Sequence, residues 1–550
     1  MEILEVKNLT FKYPLSTSAA IRDVSFTVGE GDFVVVCGAT GSGKSTMLRL
    51  LKRELSPNGE MSGSVYYRGT PAEQLAADES ACGIGFVMQK PEHQIVTDKV
   101  WHEIAFGLEN MNVPEEEIAR RTAEIASYFG IESWYGKNVS ELSGGQKQLL
   151  NLASVMVMDP DILILDEPTA QLDPVAAADF IGTLLKLNHD FSLTVIIAEH
   201  RLEELIPQAD RLLVLENGEL IGNGAPRDVI ARLGGRNGLL SAMPAAVRLY
   251  HALNGGGECP LTILEGRQFL ERNFENRIRS VDAEADAHEV RRASPALEFR
   301  DVYFRYGRDL PDVLCDLNLT VYENEIFTIL GGNGSGKTTA LGAAAGLQRP
   351  YSGSIRVFGK KLKEYKNQSL YRGCLSLLPQ DTETVFLRNT VREELLDVGA
   401  DMAVLPFDIS HLYEKHPYDC SGGEQQLIAL AKVLASEPRL ILMDEPTKGL
   451  DAEKKETLIS VLRRLKSSGV TVVIVTHDVE FAAMCADRCA LFFRGGIVSV
   501  GTPDVFFSEN RFYTTAASRI SRGYYERAVT VGDVAELCRR NARRDGGGSC

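Results

Sequence analysis

The chain has 550 residues, a formal net charge of −16, 44% hydrophobic residues and 24% charged residues. That length exceeds one ordinary core, so two or more domains are expected. The acidic total argues against a nucleic-acid backbone as main partner, which would need a basic face, and no window of about 20 apolar residues is available to span a membrane.

The N-terminus, MEILEVKNLTFKYP, lacks the cationic start and apolar run of a secretory signal. Tyr13 ends its first strand-like run, 31 residues before Lys44, where an aromatic face could stack on a nucleobase. "DFVVVCGATGSGKSTMLRLL" reads as strand, glycine-rich turn and helix. Gly38, Gly41 and Gly43 let backbone N–H groups converge on oxyanions; Lys44 can reach terminal phosphates, and Ser45, followed by Thr46, can ligate Mg²⁺.

Next comes "VMQKPEHQIVTDKVWHEIAFGLEN": one glutamine, Gln89, at a strand end, a proline turn, then an amphipathic helix with Val100, Ile104 and Leu108 on one face. Trp101 and Ala105 lie beside that stripe, and Ile95 and Val96 just before it are expected to be exposed and to suit a docking surface. "PEEEIARR" reads as a solvated helix face. In "LSGGQKQLLNLASVMV", Ser143, Gly144 and Gly145 open a helix, an arrangement that attracts anions.

"DILILDEPT" is a buried parallel-strand pattern ending in Asp166 and Glu167, where ligands of such sheets sit. Asp166 is placed to hold Mg²⁺ through water and Glu167 to polarise an attacking water. His200 follows the strand "LTVIIAEH" and could sense a terminal phosphate.

All of this recurs. "FRYG" brings Tyr306, "GGNGSGKTT" brings Gly331, Gly334, Gly336, Lys337, Thr338 and Thr339, and Gln380 follows the next strand. "CSGGEQQ" brings Ser421, Gly422 and Gly423, "LILMDEPT" brings Asp444 and Glu445, and "VIVTHD" brings His477. The offset is 293 from Lys44 to Lys337 but 278 from Glu167 to Glu445, so the second copy has about 15 residues fewer between phosphate loop and carboxylates. Thr390 and Glu393 are expected to form a capping box on its shorter helix.

The expected boundaries are 1–235 for the first domain, 236–295 for a helical extension and charged linker, 296–510 for the second domain, and 511–550 for a C-terminal extension with a disordered tail. The ten cysteines form no framework and read as ordinary reduced thiols, with Cys485 and Cys489 four apart on one expected helix.

At "LSGGQ" and "DEPT" the chain resembles two nucleotide-binding domains of the ATP-binding cassette (ABC) family, over about 1–235 and 296–504. That resemblance implies an α/β fold: two tandem P-loop NTPase domains, each with a mainly parallel core sheet, an antiparallel β subdomain and a helical subdomain. It also implies ATP and Mg²⁺ as cofactors, and hydrolysis at two composite sites. One would join Tyr13, Lys44, Ser45, Gln89, Asp166, Glu167 and His200 to Ser421, Gly422, Gly423 and Asp451. The other would join Tyr306, Lys337, Thr338, Gln380, Asp444, Glu445 and His477 to Ser143, Gly144, Gly145 and Asp173. Gln89 and Gln380 would touch the metal with Ser45, Thr338, Asp166 and Asp444, while Glu167, His200, Glu445 and His477 would be catalytic.

Cys420, Glu424 and Gln171 depart from the family's usual residues and could make the two sites unequal. "QKPEHQIV…VWHEIAFGLEN" further resembles ATPase subunits of energy-coupling-factor importers of vitamins, nickel or cobalt. This implies an integral membrane coupling subunit and a substrate-binding membrane subunit as partners, at the cytoplasmic face of the cell membrane. The alternative, a soluble twin-cassette ATPase acting on ribosomes or nucleic acid, would call for a Lys/Arg-rich helical linker. The linker here mixes signs.

Overall fold

The computed structural model describes residues 2–14, 16–170, 172–234, 237–274, 294–366, 368–402 and 405–545. The charged linker over 275–293, Gln171 and the tail from 546 lie outside these residues. The chain divides into two compact units, Met1–Pro244 and Ala245–Cys550.

In the first unit, five mainly apolar runs join one antiparallel edge strand in a six-stranded sheet. Its order is Glu219–Gly224, Arg211–Glu216, Phe33–Cys37, Thr194–Ala198, Ile162–Asp166, Ile84–Val87, with only the first strand antiparallel. Phe33–Cys37, Ile162–Asp166 and Thr194–Ala198 are buried along their whole length, as strands covered on both faces must be. A second, antiparallel sheet is ordered Ile21–Gly29, Glu2–Lys12, Glu60–Tyr67, Thr70–Pro71. Its strands alternate buried and exposed residues, so one face packs on the core and the other meets water.

The second unit repeats both sheets in the same order. The six-stranded one runs Gly496–Gly501, Arg488–Phe493, Ile326–Leu330, Thr471–Thr476, Leu440–Asp444, Leu375–Leu378; the antiparallel one runs Leu314–Tyr322, Pro295–Phe304, Ser352–Val357, Lys360–Lys361.

The length difference between the copies falls in the helical subdomain. In the first unit, Val100–Asn110, Glu115–Tyr128 and Gly144–Met156 share a core through Val100, Ile104, Leu108, Ala126 and Leu150. In the second, Val391–Asp397 leads to Gly422–Leu434 with no intervening α-helix among the described residues. The 14-residue helix Glu115–Tyr128 therefore accounts for most of the deficit. Its acids face water and pair with Arg120 and Arg121, as a solvated face should.

Three expectations are corrected. Cys485 ends the helix Val479–Cys485 whereas Cys489 lies on the strand Arg488–Phe493, so they do not share a helix. Ile95 is half-buried against the helical core, leaving Val96 as the exposed apolar residue. Thr390 caps its helix by accepting the Glu393 N–H, but the Glu393 carboxylate accepts from Asn389 N–H, one residue before the reciprocal position.

The two extensions, read as separate in the sequence, converge in the second unit. Ala245–Ala252, Ile263–Phe274, Ala516–Ser521 and Val531–Asp545 surround one apolar core that includes Leu249, Leu270, Ile520, Val534 and Cys538. Tyr524 donates to Glu271 at 2.6 Å and Arg539 to the Ala252 carbonyl at 2.7 Å, tying the two stretches together across a long span of sequence.

Candidate nucleotide sites

In both units the loop after the first core strand is shaped by glycine. Gly43 has φ 101° and Gly336 φ 108°, and a Cβ at either would fall within 2.7 Å of a backbone carbonyl, that of Ala20 or Val313. No other residue fits there. Lys44 is buried and donates to the carbonyls of Gly38 and Ala39 at 2.9 and 3.1 Å; Lys337 donates to Gly331 and Gly332 at 2.8 and 2.9 Å. Each ammonium thus sits inside its own loop with cationic charge where a phosphate would lie.

The Ser45 hydroxyl donates to Asp166 Oδ1 at 2.9 Å. Burial pushes Asp166 up to about 6 against the Ser45 bond, and Asp444 likewise up to about 6 against its bond from Thr338. Oδ1 of Asp444 is buried without a hydrogen-bond partner among the described residues. A hydroxyl, a desolvated carboxylate and an orphaned acceptor oxygen form an oxygen donor set that suits Mg²⁺, whose charge would reverse the burial effect.

Glu167 and Glu445 follow the strand ends in left-handed backbone, φ 47° and 49°. Their N–H groups bond to the carbonyls of Ala198 and Val475, extending the parallel ladder by one residue and holding the unfavourable conformation. The turn directs Glu167 to the phosphate loop and sets Glu445 beside His477. Glu167 accepts from Gln89 Nε2 at 2.7 Å, lies 2.8 Å from His200 Nε2 and 3.9 Å from Lys44 Nζ. Glu445 lies 3.0 Å from His477 Nδ1. Gln380 is exposed just past Leu375–Leu378.

Tyr13 and Tyr306 hydroxyls sit 3.0 Å from Thr46 Oγ1 and Thr339 Oγ1. Each ring packs edge-on against a neighbouring phenylalanine, and Tyr306 is 61% exposed.

The two signature serines cap their helices by reciprocal bonds. Ser143 exchanges bonds with Gln146 at 3.3 and 2.9 Å, and Ser421 with Glu424 at 3.4 and 2.7 Å. Asp173 and Asp451 cap the helices Pro174–Phe191 and Ala452–Ser467, accepting from Ala176 and Lys454 N–H. Within each unit, then, phosphate loop, carboxylates, histidine and tyrosine converge, while the serine cap belongs to a different part of the unit.

Two neighbours escaped the sequence reading. Lys454 Nζ donates to Ser421 Oγ at 3.2 Å, and its chain lies so close to Gly423 that a Cβ there would meet Lys454 Cδ at 2.6 Å. Ala176 takes that place in the first unit, beside Gly145. Glu199, wholly buried next to His200, is the other. Its sequence signal was a lone acid closing an apolar run where the second copy has Thr476.

The fold and these loops define a twin P-loop ATPase, and the comparisons give the family. The profile described as ABC transporter matches residues 21–170 and 314–448. The chain belongs to the ABC transporter family, as an ATPase with two cassettes in one chain that uses ATP and Mg²⁺.

A protein of Bacillus thuringiensis subsp. konkukian, provisionally named ABC transporter ATP-binding protein, is 39% identical over 97% of this chain and 98% of its own length. One of Methanosarcina acetivorans with the same provisional name is 32% identical over 92% and 87%. Among solved structures, cbiO1 of Clostridium perfringens, part of the ABC transporter complex cbiONQ, is 30% identical with a TM-score of 0.38, covering 43% of this chain and 95% of that one.

Proposed function

We propose that this chain is the energy-coupling ATPase of an energy-coupling-factor type importer for a vitamin or transition-metal ion, working at the cytoplasmic face of the membrane. Its partners are an integral coupling subunit and a substrate-binding membrane subunit. One observation carries the reading: Gln89, whose amide holds Glu167 at 2.7 Å, opens the segment whose wording resembles that importer class. The segment is tied down from behind. Glu103, buried on the following helix, accepts from the N–H groups of Val96 and Thr97 at 3.1 and 2.7 Å, leaving Val96 and Trp101 exposed. A change at Glu167 therefore reaches an exposed apolar surface through one side chain and one short stretch of backbone.

In this reading each nucleotide is held by one cassette's phosphate loop and closed by the other's serine–glycine cap: Ser421, Gly422 and Gly423 for the first, Ser143, Gly144 and Gly145 for the second. Lys44 and Lys337 bind phosphate. Ser45, Asp166 and Gln89, with Thr338, Asp444 and Gln380, hold Mg²⁺, which neutralises phosphate charge when bound. Glu167 and Glu445 orient the attacking water, and His200 and His477, beside those carboxylates, sense the terminal phosphate. Tyr13 and Tyr306 offer the aromatic face for the base.

The test is a pair of single variants. Glu167→Gln and Glu445→Gln are each expected to lower steady-state ATPase at least tenfold-range at their own site and to trap nucleotide there. If either leaves turnover unchanged, the two-site reading fails. Membrane fractionation checks the partners: sedimentation with ribosomes, and none with membranes holding the partner subunits, would refute the importer.

A further inference from the structure

The parallel register equates Ala198 with Val475, since these face Asp166 and Asp444. One residue on, the first cassette has Glu199 and the second Thr476. Glu199 is 2% exposed. Its Oε1 accepts the Thr169 N–H at 2.8 Å, in the turn after Asp166–Glu167, and its Oε2 accepts the His200 N–H at 3.1 Å. Thr447 and Thr476 instead place their hydroxyls 3.4 Å apart.

The difference carries through to the neighbouring carboxylates. With the His200 N–H taken by Glu199, all the Glu167 contacts described above come from side chains: Gln89, His200 and Lys44. In the second cassette the His477 N–H has no such acid and points to Glu445 Oε2 at 3.4 Å, the same oxygen that lies 3.0 Å from His477 Nδ1. Glu445 thus lies against the end of the neighbouring strand Thr471–Thr476, whereas Glu167 meets Gln89 and Lys44. The histidines differ as well: Nε2 faces the acid in the first cassette and Nδ1 in the second.

Burying a carboxylate costs several kcal/mol before its bonds are counted, and the second cassette joins the corresponding residues through two hydroxyls instead. Burial does push Glu199 up from its ordinary range, opposed by the Thr169 bond.

We propose that Glu199 is a positioning residue of the first ATP site: by capturing the His200 N–H it keeps that donor off Glu167, which then meets Gln89 and Lys44 as Glu445 does not meet their counterparts among the described contacts, and it makes the two sites unequal in turnover. This rests on Glu167 and Glu445 being the water-orienting carboxylates. The experiment isolates each site. In a Glu445→Gln chain, where the first site supplies the turnover, Glu199→Thr is expected to lower kcat about tenfold while KM shifts less than about twofold, the split expected when geometry for the chemical step is lost but binding is kept. Glu199→Gln is expected to fail similarly, since its amide turns one of two acceptors into a donor facing an N–H.

The reciprocal Thr476→Glu in a Glu167→Gln chain is expected to raise kcat of the second site several-fold, and it decides the matter if Glu199 variants do not fold. Unchanged kcat in either swap, within about twofold, or equal loss in kcat and binding, overturns the proposal. Turnover surviving in the Glu167→Gln/Glu445→Gln double variant would instead strike the reading of the carboxylates themselves.

Discussion

Ending the chain at Asn510 should unfold a region far away in sequence, the helices Ala245–Ala252 and Ile263–Phe274. Both belong to the same core as Ala516–Ser521 and Val531–Asp545, and Leu249 and Leu270 are at most 1% exposed within it. Uncovering two such leucines forfeits roughly 3–6 kcal/mol. The helices contain 8 and 12 residues, at or below the roughly 12–15 at which isolated helices are marginal. Ordering each backbone residue costs about 1–2 kcal/mol, so what remains, chiefly Tyr250 against Phe269 at 5.5 Å, is too little.

Hydrogen exchange read by mass spectrometry on peptides covering 245–274 is the assay. Slow exchange in the full chain and exchange near the unstructured rate after truncation are expected, with Ile326–Leu330 protected in both as a control for the second cassette. Ile520→Asp in the full chain, which puts a charge at a fully buried position, should reproduce the effect. Equal protection of 245–274 in all three proteins would refute the shared core.

Lys432 pairs with the fully buried Glu394, whose carboxylate also accepts the N–H groups of Leu387 and Arg388. Lys432→Met should destabilise the Val391–Asp397 region by roughly 3–5 kcal/mol, with Lys432→Met/Glu394→Gln recovering most of it, because the neutral amide oxygen still accepts the two N–H groups, as read by exchange of that helix. Tyr306→Phe should change the KM for ATP by no more than about fivefold, since a hydroxyl bond is worth about 1 kcal/mol net, whereas Tyr306→Ala should raise it by roughly tenfold or more through the lost ring face; equal losses would mean that the hydroxyl, not the ring, matters. Burial pushes the Cys37 thiol up to about 12. At pH 8 its thiolate fraction is then on the order of 10⁻⁴, so iodoacetamide should label Cys37 only in unfolded protein; rapid labelling of the native chain would contradict the burial.

Sequence alone fixed the features that depend on local chemistry. Glycine spacing before Lys44 and Lys337, apolar runs closed by Asp166–Glu167 and Asp444–Glu445, and the duplicated order gave the fold class and the candidate site, because each is a demand of backbone geometry on residue type a few positions away. The 15-residue deficit was visible as a number, but only the structure assigned it to the helix Glu115–Tyr128.

Tertiary structure decided what depends on partners distant in the chain. Ile95 looked exposed beside Val96 until its place against the helical core was known. The extensions around 245–274 and 511–545 read as separate because nothing local in either says that its apolar stripe is completed by the other. Nothing local in the sequence marks a role for Glu199; the turn at Thr169 that gives it one lies 30 residues away and reaches it only once two parallel strands are in register. Side-chain type and short spacing are written in sequence, whereas the pairing of buried groups is set by which strands and helices pack together.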